Sequence, residues 1–119
     1  MPKTILLVDD ESDIINYLEN FLRRFKISSI KTLSGEDALA VYDKDKVDFV
    51  FLDIEMKGIN GFTVFEELKK RNPAVKVIMI TGWSEQEYQD KARGLGAVDY
   101  ITKPLDLSEL KEKIHKYIL

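Results

Sequence analysis

Apolar residues follow two alternating rhythms along this chain. Short continuous runs of strand length recur: Thr4 to Val8, Phe49 to Leu52, Val75 to Ile80 and Val98 to Ile101. Ser28 to Leu33 is a weaker, more polar run, suited to a sheet edge. Between the runs the spacing changes to that of a helix. Ile14, Ile15, Leu18, Phe21, Leu22 and Phe25 form one apolar stripe on a helix of about three turns. Ser34 is placed to cap a second helix that opens at Gly35-Glu36-Asp37. A third, Gly61 to Arg71, must end before Pro73, because the residue preceding proline disfavours the helical region. Ser84 with Glu87 is a capping-box signature for a fourth helix, closed by Gly94 or Gly96. Asp106 with Glu109 caps the last, whose stripe is Leu107, Leu110, Ile114, Tyr117 and Ile118.

Five strand–helix repeats predict an α/β fold with a parallel sheet, since parallel neighbours need crossover connections and helices supply them. Strands apolar on both faces and right-handed crossovers place helices on both sides, giving a doubly wound, three-layer αβα sheet of five strands. The 119 residues form a single domain, residues 1–119. Composition removes several kinds of chemistry. With no Cys and one histidine, His115, there is no disulfide framework, thiolate nucleophile or common zinc cage. A net charge of −3 argues against a whole-surface nucleic-acid footprint. No apolar run approaches the ~20 residues of a membrane span, and Met1-Pro2-Lys3 leads straight into a strand rather than a signal peptide. The expected location is the cytoplasm, without membrane or nucleic-acid partners. Asp43 to Lys46, and Lys69 to Arg71, read as solvated charge.

Open parallel sheets bind ligands beyond the carboxyl ends of their strands. Here the first strand runs into Asp9-Asp10, the third into Asp53, the fourth into Thr81 and the fifth into Thr102-Lys103-Pro104. In a sheet of order 2-1-3-4-5 these four strands are consecutive, so the groups converge. Any one of them has a structural explanation, as a helix cap or as loop punctuation. Together they make a site of three carboxylates, a hydroxyl and an ammonium. Clustered carboxylates need a cation, and hard oxygen ligands point to Mg²⁺, Mn²⁺ or Ca²⁺. Mg²⁺ takes one or two carboxylates and leaves another free to attack a phosphoryl group, which gives an aspartyl phosphate. Lys103 and Thr81 can then hold phosphoryl oxygens.

Val8-Asp9-Asp10-Glu11, Leu52-Asp53, Thr81-Gly82 and Lys103-Pro104, with Gly61 and Tyr100, make the whole chain resemble receiver domains of two-component response regulators, of the single-domain chemotaxis type. The resemblance implies a flavodoxin-like fold and a phosphoacceptor, Asp53, supplied by a sensor histidine kinase or a histidine phosphotransfer protein. It implies Mg²⁺, with Mn²⁺ as a substitute, held directly by Asp10, through water by Asp9, and by Asp53 and the Glu55 backbone carbonyl. Lys103 would pair with the phosphoryl group beside a cis Lys-Pro bond, Thr81 would shift to it, and Tyr100 would turn inward. That switch would remodel the face of the fourth helix, fifth strand and last helix for a downstream protein target or an output domain. The domain would be a monomer or a weak phosphorylation-dependent dimer. It would assist its own phosphotransfer and slow autodephosphorylation without turning over a metabolite, and so is not an enzyme in the ordinary sense.

The departures lie after Asp53, where such domains often carry Met-Pro-Gly-Met-Asp-Gly. Here the stretch is Met56-Lys57-Gly58-Ile59-Asn60-Gly61, which puts loop stiffness and docking in question. Glu55 and Trp83 stand two residues beyond Asp53 and Thr81 and are expected to alter the rates of phosphorylation and hydrolysis. Tyr100 and Trp83 also have bland readings as packed aromatics, and His115 as a partial positive charge near a helix end. A haloacid-dehalogenase-like phosphatase with Asp53 as nucleophile is the enzyme alternative, though such enzymes usually carry a second Asp where this chain has Glu55. A flavin module would want a phosphate-binding loop where Asp9 to Asp13 stand. A non-phosphorylated scaffold of the same fold would have lost acids or lysine that this chain keeps. No helix-turn-helix pattern follows the last helix. A stand-alone receiver, a relay intermediate and one domain of a longer regulator are all compatible with the chain.

Overall fold

Two interleaved sets of side chains on a single sheet organise the computed structural model, which describes residues 3–119. Met1 and Pro2, on which part of the signal-peptide reading falls, lie outside the described residues. The strands are β1 (Thr4–Val8), β2 (Ser28–Thr32), β3 (Phe49–Leu52), β4 (Val77–Thr81) and β5 (Asp99–Thr102). The helices are α1 (Ser12–Arg23), α2 (Gly35–Val41), α3 (Gly61–Arg71), α4 (Gln86–Leu95) and α5 (Leu107–Tyr117). All strand pairs are parallel and the order is β2-β1-β3-β4-β5, as in the flavodoxin-like fold.

Successive residues of a strand point to opposite faces, so each strand feeds two cores. Leu6, Val8, Val50, Leu52, Val77 and Met79 pack with Ala38, Val64, Phe65, Leu68 and Ala92 of α2, α3 and α4. Ile5, Leu7, Phe49, Phe51, Ile78, Ile80 and Ile101 pack on the other face with α1 and α5. Polar β2 lies at an edge, with Thr32 Oγ1 donating to the Leu7 carbonyl. No helix among the described residues is long and apolar enough to cross a membrane.

Some boundaries differ from the sequence reading. β4 begins at Val77 rather than Val75 and runs on to Thr81, and β5 covers Asp99–Thr102 instead of Val98–Ile101. α1 stops at Arg23, so Phe25 lies beyond it, in contact with Phe21 and edge-on to His115. Ser84 does not cap α4. The helix starts at Gln86 after Glu85, which makes no side-chain cap, and the Ser84 carbonyl accepts from Gln89 Nε2 instead. Gly96, at φ +96°, closes α4 in the left-handed region that glycine adopts without penalty, while Gly94 is still helical. Leu107 is exposed: it is the first residue of α5, and burial begins one turn later at Leu110. Ser34 and Asp106 cap as expected, accepting from Asp37 N and from Ser108 N and Glu109 N.

Candidate functional site

Register builds the site. Val8 pairs with Leu52 and Thr81 with Thr102, so the next residues along, Asp9 with Asp53 and Gly82 with Lys103, leave the same rim side by side. Backbone bonds continue past the strands: Asp53 N donates to the Val8 carbonyl and Lys103 N to the Thr81 carbonyl. Asp9 and Asp53 are 3% exposed, and together with half-buried Asp10 they present carboxylate oxygens all within 4.8 Å of one another. No other group of three metal-capable side chains lies as close among the described residues. A cavity of about 440 Å³ opens over Asp10, Glu11, Asp53, Glu55, Trp83 and Lys103.

Lys103 Nζ is the hub, donating to Asp9 Oδ2 at 2.7 Å, Asp53 Oδ2 at 3.1 Å and Glu11 Oε1 at 3.1 Å. Its three N–H groups are thereby matched to three acids. Burial alone would push this ammonium down, but the bond to Asp9 and the charges of Asp53 and Asp9 outweigh it and hold it above the ordinary lysine range. Burial pushes Asp9 up, aided by Asp53 and opposed by the hydrogen bonds from Lys103 and the Glu11 N–H. With Asp10 beside these three acids, the carboxylates of the site outnumber its one bonded ammonium and leave surplus negative charge. The donor set is all hard oxygen, with no histidine or cysteine near, and so fits Mg²⁺ or Mn²⁺.

The remaining predicted residues form a second tier. Thr81 is fully buried, and its Oγ1 accepts from Trp83 N at 3.3 Å rather than touching the carboxylates. Tyr100 packs against the α2–α4 core and its hydroxyl donates to the Trp83 carbonyl. Burial, with the negative charges of Glu85 and Asp53, pushes this phenol up to about 12. Trp83 therefore joins both switch candidates through its own backbone. Its indole Nε1 also donates to Glu55 Oε2 at 2.6 Å, across the mouth of the site, and its ring packs on Tyr88 at 4.6 Å between centroids. The Lys103–Pro104 bond is cis, as the resemblance implied.

Glu11 is the group that sequence reasoning left out of the site. Its place beside Asp9-Asp10 was the available signal, but only the fold shows that it reaches Lys103, 92 residues away. The loop after Asp53 is also better fastened than its departures suggest. Asn60, standing in for an acid, still caps α3 by accepting from Thr63 N. Gly61 brings α3 against the loop that follows β3, where a Cβ would collide with the Asp53 carbonyl oxygen.

The family model described as the response regulator receiver domain matches residues 5–115. The chain is 35% identical over 112 residues to the transcriptional regulatory protein ZraR of Salmonella typhimurium, a match covering 94% of this chain and 25% of that protein. It thus spans about a quarter of that relative's length. It is 27% identical over 118 residues to sporulation initiation phosphotransferase F of Bacillus subtilis, covering 99% and 95% of the two chains. Among solved structures, response regulator protein TrrA of Thermotoga maritima, in complex with Mg²⁺-BeF, superposes with a TM-score of 0.85 at 35% identity, over 96% of this chain and 97% of that one. The chain belongs to the response regulator receiver domain family, the signalling domain of two-component systems.

Proposed function

We propose that Asp53 is the phosphoacceptor of a phosphohistidine donor, on a sensor histidine kinase or a histidine phosphotransfer protein, in a reaction that requires Mg²⁺. The observation that carries this is Lys103 Nζ bonded to both Asp9 and Asp53 inside a cluster of three carboxylates. A carboxylate oxygen of Asp53 attacks phosphorus, and the P–N bond of the donor breaks. Its electron pair stays on the imidazole nitrogen, which leaves neutral when the other ring nitrogen carries a proton. Asp10, Asp9, Asp53 and the Glu55 carbonyl would hold the metal. When bound, Mg²⁺ neutralises the acids and polarises the phosphoryl oxygens. Mn²⁺ would substitute. That the related TrrA structure contains Mg²⁺ and BeF supports the same chemistry here.

Lys103 keeps its ammonium and turns from Asp53 to the phosphoryl oxygens. Thr81 trades the Trp83 N–H for the phosphoryl group, and Tyr100, tied to the Trp83 carbonyl, turns inward as Trp83 moves. The face of α4, β5 and α5 then changes for a downstream protein or an output domain. In this reading residues 1–119 act as one unit in the cytoplasm, as a monomer or a weak dimer formed on phosphorylation. The domain assists its own phosphotransfer and slow autodephosphorylation. The Glu55–Trp83 bond narrows the approach to Asp53, so replacing both with small neutral residues should change phosphorylation and hydrolysis rates.

Incubation with Mg²⁺ and acetyl phosphate, followed by intact mass, tests the reading. One phosphoryl adduct is expected, lost in Asp53→Asn and absent with chelator. No adduct with any phosphodonor would leave a scaffold of the same fold, and steady turnover of phosphate esters would favour a phosphatase.

A further inference from the structure

Asp10 is held differently from its neighbours. Of the three clustered carboxylates, Asp9 and Asp53 bond to Lys103, but Asp10 does not. Its Oδ2 accepts instead from the backbone N–H of Lys57 at 3.0 Å, a bond between the loop after β1 and the loop after β3. We infer that the Lys57 N–H is a positioning group for Asp10, and through it sets the affinity of the acid cluster for its divalent cation. The inference rests on the metal reading under Proposed function and adds a component to it.

The donor is held in place by its surroundings. Ile54 and Met56, just before Lys57, are buried. Gly58, just after it, sits at φ +79°, where a Cβ would meet the Glu36 carboxylate at 2.6 Å. The N–H therefore faces Asp10 before any cation arrives. One oxygen of Asp10 is fixed, the carboxylate plane is fixed with it, and the other oxygen remains for the metal. Outer hydrogen bonds of this kind typically contribute about 10–100-fold to metal affinity. The bond depends on the backbone and not on the lysine side chain. A proline, which related domains often carry at this place, has no N–H to give. What looked like the loss of a rigid residue is the gain of a donor.

The test is Mg²⁺ binding by calorimetry, with emission of Trp83, the single tryptophan, as a second readout. Three variants separate backbone from side chain: Lys57→Pro, Lys57→Ala, and a semisynthetic chain in which an ester replaces the amide at Lys57. The proline and ester chains should bind Mg²⁺ about tenfold more weakly, and Lys57→Ala within about twofold of the unaltered chain. At saturating Mg²⁺ the ester chain should recover the normal rate of acetyl-phosphate labelling, because affinity was lost and the chemistry was not. If Lys57→Pro does not fold, the ester chain decides. An ester chain that binds as tightly as the unaltered one overturns this inference alone, as does an equal loss in Lys57→Ala. An unaltered chain that binds no Mg²⁺ overturns the metal reading as well.

Discussion

α1 and α4 both begin at the site, one after the acids of β1 and the other after Thr81, yet they are held to the sheet very differently. α1 buries Ile15, Leu18, Phe21 and Leu22, each a side chain whose burial stabilises by roughly 1.5–3 kcal/mol. α4 buries only Ala92, with Tyr88 and Leu95 half-covered. The difference divides labour. The helix behind the clustered acids is anchored, so Asp9 and Asp10 keep their geometry. The helix behind Thr81 is held by Ala92, by half-buried Tyr88 and Leu95, and by the Tyr88 ring against Trp83 and Phe62, so it can shift at smaller cost. Low burial density is where local opening is cheapest.

The strongest challenge to this contrast is truncation. Leu22→Ala, at a fully buried position, should cost about 2–5 kcal/mol in denaturant unfolding, whereas Leu95→Ala should cost less than about 1.5 kcal/mol. Equal costs would break the comparison. Gly61→Ala should follow at about 1–3 kcal/mol, because the new Cβ must push α3 away from the Asp53 carbonyl. With Asp53 as the proposed acceptor, it should also lower phosphoryl labelling, since the Asp53 backbone is what the Cβ displaces. Native-state hydrogen exchange should show α4 amides opening at least roughly tenfold more readily than α1 amides.

A smaller effect comes from the acids that α1 anchors. Asp9 titrates above its ordinary range, so the native state holds that proton more tightly than the unfolded chain. Stability then falls as pH rises through the native value, and the penalty is complete above it. Without divalent cation, Asp9→Asn should therefore flatten that part of the pH profile, at the cost of the ion pair with Lys103. The smallest expected effect is at β5. Lys113 and Tyr117 of α5 both bond to Asp99 Oδ2. Burial pushes this carboxyl up, but the bonds from Lys113, the Tyr100 N–H and Tyr117 outweigh it and hold Asp99 below its usual range. That contribution is fully present above the unfolded carboxylate value of about 3.9 and is lost as pH falls through the lower native one. Asp99→Asn should cost no more than about 1 kcal/mol near neutral pH, and nothing below the native value. If it instead loosens α4, then β5 is not fastened to α5 independently of the switch helix.

Much of this was legible in the residues. β3 and α3 have the expected boundaries, because a four-residue apolar run and a helix stopped before Pro73 are local facts. The acids and the lysine at the strand ends were readable for the same reason. The start of α4 was not. Ser84 and Glu87 satisfy a local capping rule, but the segment from Thr81 to Glu85 instead carries Trp83 between Thr81, Tyr100 and Glu55, and the helix begins later.

The sequence by itself determined the order of elements, the two-faced strands and which reactive groups stand at the strand ends, since each follows from periodicity and neighbours in the chain. Only the tertiary structure decided who bonds to whom. Glu11 completes the ring around Lys103, Lys57 gives its N–H to Asp10, and Glu55 meets the Trp83 indole. Those partners lie 92, 47 and 28 residues apart, and hydrogen bonds act over about 3 Å. No local pattern specifies such contacts; the packing of two cores on one sheet does.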